Sequence, residues 1–417
     1  MYFTNSKPLG GRSKFRYWDF IVKEVYYENN KNNVSEIIDF ETDQQELYKF
    51  PKDQKDYLYF NMQKINTDLQ HFVKNMALVL RCGKTKISFA GLKDKRGVTS
   101  QRFCIYNPDV ELMKKYNRNM VKLFNFRWSD EKLEIGSLIG NDFILTIRNI
   151  DHDEKKIKKI VTDFEKQIVV GIPNNFGEQR FGGPRDVTHE VGRLLIQEKT
   201  KDAVMLYLTK TYDREDEEVK KVREIISNGE FVEAIKQLPK RSFRYERAIL
   251  HALIKNPNDF HNAWLQLPKN ITYLFSHAYQ SHLFNKYLEL RIKKFGKHAL
   301  DAQKGDVLDD EGNVMGPLFG YQFELATDKV GELEKEILKE ENMTLADFRV
   351  NNFPQMSVSG ARRKIKLDIH NFKFEESGKD EHFEDKNYAK ISFWLEKGNY
   401  ATTVLDELIK DAKIKTL

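Results

Sequence analysis

Residues 87–106, ISFAGLKDKRGVTSQRFCIY, read as a short strand, a polar turn-rich loop and a second strand. Ile87 to Ala90 forms the first strand, Gly91 to Ser100 gathers glycine and charge, and Arg102 to Tyr106 leaves as a β-prone run. A loop held between two core strands is a good place for chemistry. Within it one carboxylate, Asp94, is bracketed by Lys93, Lys95 and Arg96, and cations at that range favour the ionised form. A charged surface turn would carry the same spacing, so both readings stand on the residues alone.

Outward from this loop the chain alternates strand and helix signals. Residues 17–27 and Tyr57 to Gln63 alternate bulky and polar groups as strands do. Asn66, Thr67 and Asp68 offer N-cap chemistry ahead of Leu69, Phe72, Val73, Met76 and Leu80, which lie on one helical stripe ending near Gly83. Phe143, Leu145 and Ile147 mark a mostly buried strand, and Glu154 to Val169 an amphipathic helix. The pattern turns helical from Glu190 to Phe295; strand and turn signals return after Gly296, Arg363 to Leu395 reads as strands, and Thr402 to Lys410 as a closing helix. The composition shift predicts an α+β body interrupted by a different module.

Composition narrows the function classes. The 417 residues are 40% hydrophobic, and the 32% that are charged are interspersed with 29 Phe and 18 Tyr, which excludes a chain disordered throughout. No window approaches the roughly 18 apolar residues of a membrane span, and Met1 to Gly10 lacks the apolar core of a signal peptide. No membrane partner and no secretion are expected. Cys82 and Cys104 form no CxxC and have no paired histidines nearby, so neither a disulfide framework nor a zinc site is expected, and a reducing cytoplasm fits. The 69 Lys plus Arg against 63 Asp plus Glu leave a net charge of +6, which permits a polyanionic partner without demanding one.

Three further segments carry residue types used at binding or metal sites. Gly83-Lys84-Thr85 lacks the glycine five residues before the Gly-Lys pair that a phosphate-binding loop needs, since position 78 is Leu. His277 and His282, five apart, point to different faces of a helix and are read as core or surface histidines; no metal is expected. Pro173-Asn174-Asn175-Phe176-Gly177-Glu178-Gln179-Arg180-Phe181-Gly182 packs amides, an arginine, two aromatics and two glycines into ten positions. Stacking on a base and reading its edge use such side chains, and so does a structural turn.

FAGLKDKRGVTSQ at 89–101 and PNNFGEQRFGG at 173–183 resemble the two signature motifs of the TruD family of pseudouridine synthases. DFIVKE at 19–24, LEIGSLIGNDF at 133–143, AYQSHLFN at 278–285, GPLFG at 316–320 and FWLEKGNYATTVLDEL at 393–408 agree in the same order, so the resemblance spans nearly the whole chain. The long stretch between the second motif and AYQSHLFN is similar to the archaeal and eukaryotic branch.

The resemblance implies an α+β pseudouridine synthase fold, a mixed and largely antiparallel sheet with flanking helices, carrying a large inserted α+β TRUD domain that helps form a basic RNA cleft. Residues 1–185 plus 355–417 would be the catalytic domain and 186–354 the insertion. The implied activity is isomerisation of uridine to pseudouridine in tRNA, typically at uridine 13, with no metal and no organic cofactor. Asp94 would be the essential catalytic aspartate and Lys14, six residues before Phe20, its cationic partner. Phe176 would stack on the flipped uracil and Asn174 orient the loop or the base, with Lys93 and Arg180 as further substrate contacts. Gly97 stands where the family commonly has alanine, and Glu396 near a position often filled by proline. Two rivals remain: a tRNA-folding chaperone of the same fold, and a hydrolytic nucleosidase with a lone Asp nucleophile, which would release free uracil.

Overall fold

The computed structural model describes residues 2–28, 31–213, 215–239 and 243–410; both chain ends beyond these lie outside the described residues. The chain divides into two compact units, one made of residues 2–172 and 367–410, the other of Pro173–Lys366.

The first unit is built on a nine-stranded sheet among the described residues. Its strands are β1 (Phe20–Glu28), β2 (Lys31–Val34), β3 (Tyr57–Ile65), β4 (Ile87–Phe89), β5 (Val98–Tyr106), β6 (Val121–Ser129), β7 (Leu138–Ile150), β8 (His370–Lys379) and β9 (Asn387–Glu396). The order is β8-β9-β7-β1-β5-β3-β6, with β2 on β1 and β4 on β5. All neighbours are antiparallel except β1 and β5, which run parallel over Ile21/Val98, Val22/Thr99 and Lys23/Ser100. β9 shows the cleanest link from pattern to packing: Ala389, Ile391, Phe393 and Leu395 point inward at every second position.

Two apolar cores form on the two halves of this sheet. One gathers Val22, Phe143, Leu145, Ile147, Ile391 and Phe393 with Ile157, Ile160, Val161 and Phe164 of the helix Glu154–Gln167 and Val404, Leu405 and Leu408 of the helix Ala401–Ile409. The other gathers Leu58, Phe60, Met62, Phe103, Ile105 and Leu123 with Leu69, Phe72, Val73 and Met76 of the helix Leu69–Val79. Asp68 caps that helix by accepting from the His71 N–H, as the sequence predicts.

Two boundaries differ from the sequence reading. Tyr17–Asp19 is a turn and β1 starts at Phe20, because the buried Asp19 carboxylate accepts from the Arg16 N–H and from Arg148 Nε, curling the chain. β5 starts at Val98, inside the expected loop, because Val98 to Ser100 pair with β1 on one side and β3 on the other.

In the second unit, the helices Thr188–Ile196, Thr200–Thr209, Glu217–Ser227, Phe231–Gln237, Arg244–Lys255, Phe260–Leu265 and Lys269–Phe295 follow one another, in line with the helical pattern. A small sheet of Val307–Leu308, Val314–Leu318 and Ala361–Lys364 and the helix Asp328–Glu340 complete it. Residues 173–185 and 355–366 belong to this unit: the Asn174 N–H donates to Ile365 O, and its side-chain amide donates to Lys364 O. These bonds draw both boundaries outward from 186 and 354.

Gly97, immediately before β5, has φ +147°, and a Cβ built on it would lie 2.7 Å from Phe20 O. Gly97→Ala is therefore expected to cost about 1–3 kcal/mol of stability, read as a lower denaturant midpoint at unchanged slope. An unaltered midpoint would show that the backbone there relaxes freely.

Candidate active site

The parallel seam between β1 and β5 decides what meets at its edge. Parallel neighbours begin on the same side of a sheet, so the segment before β1 and the loop before β5 converge although 80 residues separate them. Lys14 Nζ lies 3.2 Å from Asp94 Oδ2. The Lys14 ammonium also sits 3.9 Å from the centroid of the Phe20 ring, a cation–π contact that holds the side chain in place. Lys14 adopts φ +56°, a left-handed conformation that is costly for a side-chain-bearing residue and that often marks functional segments. The Lys14 side chain is 13% exposed and that of Asp94 44%, so the lysine is held from behind while the carboxylate stays open to solvent. An ion pair this open contributes little to stability; its effect here is orientation.

The seam lasts three residues and then opens, β2 covering the edge of β1 and β4 that of β5. Glu24 fills the opening. Its carboxylate accepts from the Arg102 N–H at 3.1 Å and from Lys93 Nζ at 2.9 Å. The side chains of Lys93 and Glu24 are 4% and 0% exposed, which places the Lys93 ammonium inside the protein instead of on the substrate face its motif position implies. Lys93 thereby ties the loop to the sheet. Further ties come from Gln101 Nε2 to Gly91 O, from the Asn66 N–H to Gly97 O, and from an Arg96 guanidinium N–H to Phe15 O. Lys95 and Arg96 are exposed.

Sequence reasoning missed Glu24 and Lys64. Lys64, on β3, is fully buried and donates from Nζ to the backbone carbonyl of Asp94 at 2.5 Å. Burial pushes its ammonium down to about 8, an effect that Asp94 and Asp68 oppose and Lys93 reinforces. The one available signal was a lysine on the face of β3 that carries Leu58, Phe60 and Met62.

The second motif lies in the other unit. Asn174 is buried; its amide donates to Lys364 O at 3.1 Å and its oxygen accepts from an Arg363 guanidinium N–H at 2.8 Å. Phe176 is half-buried, edge-on to Phe284 with centroids 5.5 Å apart, with the Arg363 guanidinium carbon 4.3 Å from its ring centroid. Asn285 clamps its backbone, accepting from the Phe176 N–H and donating to the Phe176 carbonyl. Arg180 donates from Nε to Ser281 Oγ at 2.9 Å. Asn285 and Arg363 were not singled out from sequence; AYQSHLFN carries the first, and no motif flagged the second.

His277 and His282 lie on the helix Lys269–Phe295, His282 stacked on His189 with centroids 4.5 Å apart, and burial lowers the basicity of all three rings. Among the described residues no group of three His, Cys, Asp or Glu is arranged to hold a metal ion, and no helix is long and apolar enough to cross a membrane.

A family model described as tRNA pseudouridine synthase D (TruD) matches residues 1–315 and 302–408. A protein named "Probable tRNA pseudouridine synthase D" from Methanosarcina acetivorans is 34% identical, the match covering 98% of this chain and 95% of the relative. One of the same name from Methanopyrus kandleri is 35% identical, covering 84% of each. A crystal structure of a Methanosarcina mazei protein assigned to TruD superposes with a TM-score of 0.81 at 31% identity, covering 99% of this chain and 96% of the other. Matches of this extent place the chain among the enzymes that isomerise uridine to pseudouridine. The chain belongs to the tRNA pseudouridine synthase D family.

The buried pair makes a separate prediction. Glu24→Gln keeps an acceptor for the Arg102 N–H but strands the Lys93 ammonium in the interior, and should cost about 3–5 kcal/mol. Adding Lys93→Met removes the stranded charge and should recover most of that loss. Denaturant unfolding of wild type, both single variants and the double variant measures the coupling; strictly additive losses would contradict the pairing.

Proposed function

We propose that the chain isomerises uridine to pseudouridine in tRNA, at uridine 13, with Asp94 as the essential carboxylate and no metal or organic cofactor. The observation carrying this reading is the Lys14–Asp94 pair: a solvent-open carboxylate held by a cation at the edge of the parallel seam, inside the first of the two family motifs. Asp94 assists cleavage of the C1′–N1 glycosidic bond, as nucleophile or as base. The freed uracil turns, C5 joins C1′, the C5 proton leaves and N1 gains one, so substrate and product are isomers. Lys14 aims the carboxylate. Lys93 and Glu24 act by holding the loop.

The target base must leave its stack to reach Asp94, at a cost of a few kcal/mol. Phosphate contacts from Lys and Arg offset that, and Phe176 stacks on the extruded uracil, positioned by Asn285 and Asn174. Arg180, beside the Phe176 ring, contributes charge next to it. Exposed Tyr17, Trp18 and Leu92 add apolar surface on the segments that carry Lys14 and Asp94. The unit Pro173–Lys366 supplies part of the RNA-binding surface, and the protein works in the cytoplasm.

The test is to incubate the protein with tRNA transcripts and map pseudouridine by chemical labelling and reverse-transcription stops. Modification at uridine 13 by wild type, and none by Asp94→Asn at tRNA affinity within a few-fold, is expected; comparable turnover by the variant would remove Asp94 from its role. Phe176→Leu should keep most of the apolar volume and lose the flat π face, slowing single turnover about ten-fold. A destabilised but fully active variant would instead make Phe176 a packing residue.

A further inference from the structure

We infer that Lys64 is a positioning residue for the reaction: its ammonium, rising from the interior of β3, grips the backbone carbonyl of Asp94 and so sets the direction in which the carboxylate leaves the loop. The inference rests on the reading of Asp94 as the essential carboxylate.

Lys64 is 0% exposed, and lysine is almost never fully buried without a partner. Its strand pairs on both sides, Lys64 opposite Thr99 of β5 and Val121 of β6, so its backbone has no freedom to swing the side chain elsewhere. The face it occupies carries Leu58, Phe60 and Met62, where a fourth apolar residue would be the stabilising choice. A lysine persists there against that preference, and its bond, at 2.5 Å, goes to the one peptide carbonyl that belongs to Asp94. A single carbonyl is a poor return for burying a full charge, so stability does not account for the residue. Geometry does. Glu24 holds Lys93 on the residue before, Lys14 holds the carboxylate in front, and Lys64 holds the carbonyl, so the loop is gripped on three sides around Asp94.

The charged groups acting on the ammonium are Asp94 and Asp68, which favour its protonated form, and Lys93, which opposes it; burial outweighs them and brings it to about 8. As pH rises through that value, Lys64 loses its charge and its grip weakens.

The experiment compares Lys64→Met with wild type and Asp94→Asn by thermal midpoint, tRNA affinity and single-turnover rate from pH 6.5 to 9. Methionine keeps the apolar stem and removes the charge. The expected result is an unchanged or higher midpoint, affinity within about two-fold, a rate about 30- to 100-fold lower, the scale on which small misplacements act, and loss of the alkaline fall that wild type shows near pH 8. Wild-type rate in Lys64→Met, or a rate lost only in proportion to unfolded protein, would overturn the inference. Should Lys64→Met not fold, Lys64→Gln, which keeps a polar group on a shorter stem that falls short of the Asp94 carbonyl, decides: a wild-type rate per folded molecule overturns it. Activity in Asp94→Asn would defeat the catalytic reading itself; an inactive Asp94→Asn beside a fully active Lys64→Met would defeat only the role of Lys64.

Discussion

The three-residue parallel seam between β1 and β5 is the constraint from which the candidate site follows. Among the described residues of an otherwise antiparallel sheet it is the one place where two strands begin side by side, so the chain before each arrives at the same edge. Lys14 and Asp94 meet for that reason and no local one. The two cores on either half of the sheet hold β1 and β5 in register, and Gly97 lets the chain enter β5 close under Phe20 O, where a Cβ would lie 2.7 Å away and need the backbone to shift. The seam then opens, and the gap admits the Gly91-Leu92-Lys93-Asp94 segment with its charges.

That segment is held by buried charge. Glu24 substitutes for the neighbouring strand that Arg102 loses as the seam opens, and neutralises Lys93 in the same act. Such an arrangement is a poor way to gain stability, because taking ions out of water costs several kcal/mol each. Its product is a loop with few degrees of freedom and one carboxylate left open. Preorganisation of this kind lowers the reorganisation a reaction must otherwise supply.

The second motif works by the same logic with neutral groups. Asn174 has its amide engaged by Lys364 O and Arg363, and the Phe176 backbone is clamped by Asn285, so the amides of that motif and of AYQSHLFN fix a ring. Both roles suggested for Asn174, orienting the catalytic loop or the base, belong to the proposal; its own bonds run to Lys364 O and Arg363. Arg363, beside the Phe176 ring, adds a cation that no motif announced.

Periodicity and motif order determined much of this protein in advance. The helix Leu69–Val79 with its Asp68 cap, the alternating inward residues of β9, the helical run between 190 and 295 and the candidates Asp94, Lys14 and Phe176 were all legible, because capping, amphipathicity and word order are local properties of a chain. The start of β5 at Val98 was not, since a polar stretch becomes a strand only when partners exist on both sides. Nor was the turn at Tyr17–Asp19, which depends on Arg148, 129 residues away from Asp19. Lys93 read as a surface cation and is buried; Glu24 read as a strand residue and is its partner; Lys64 lay just past the end of the strand seen in the sequence. Charge in a sequence looks like solvent exposure, and only the tertiary structure decides which charges are enclosed, because enclosure requires partners from strands far apart in the chain.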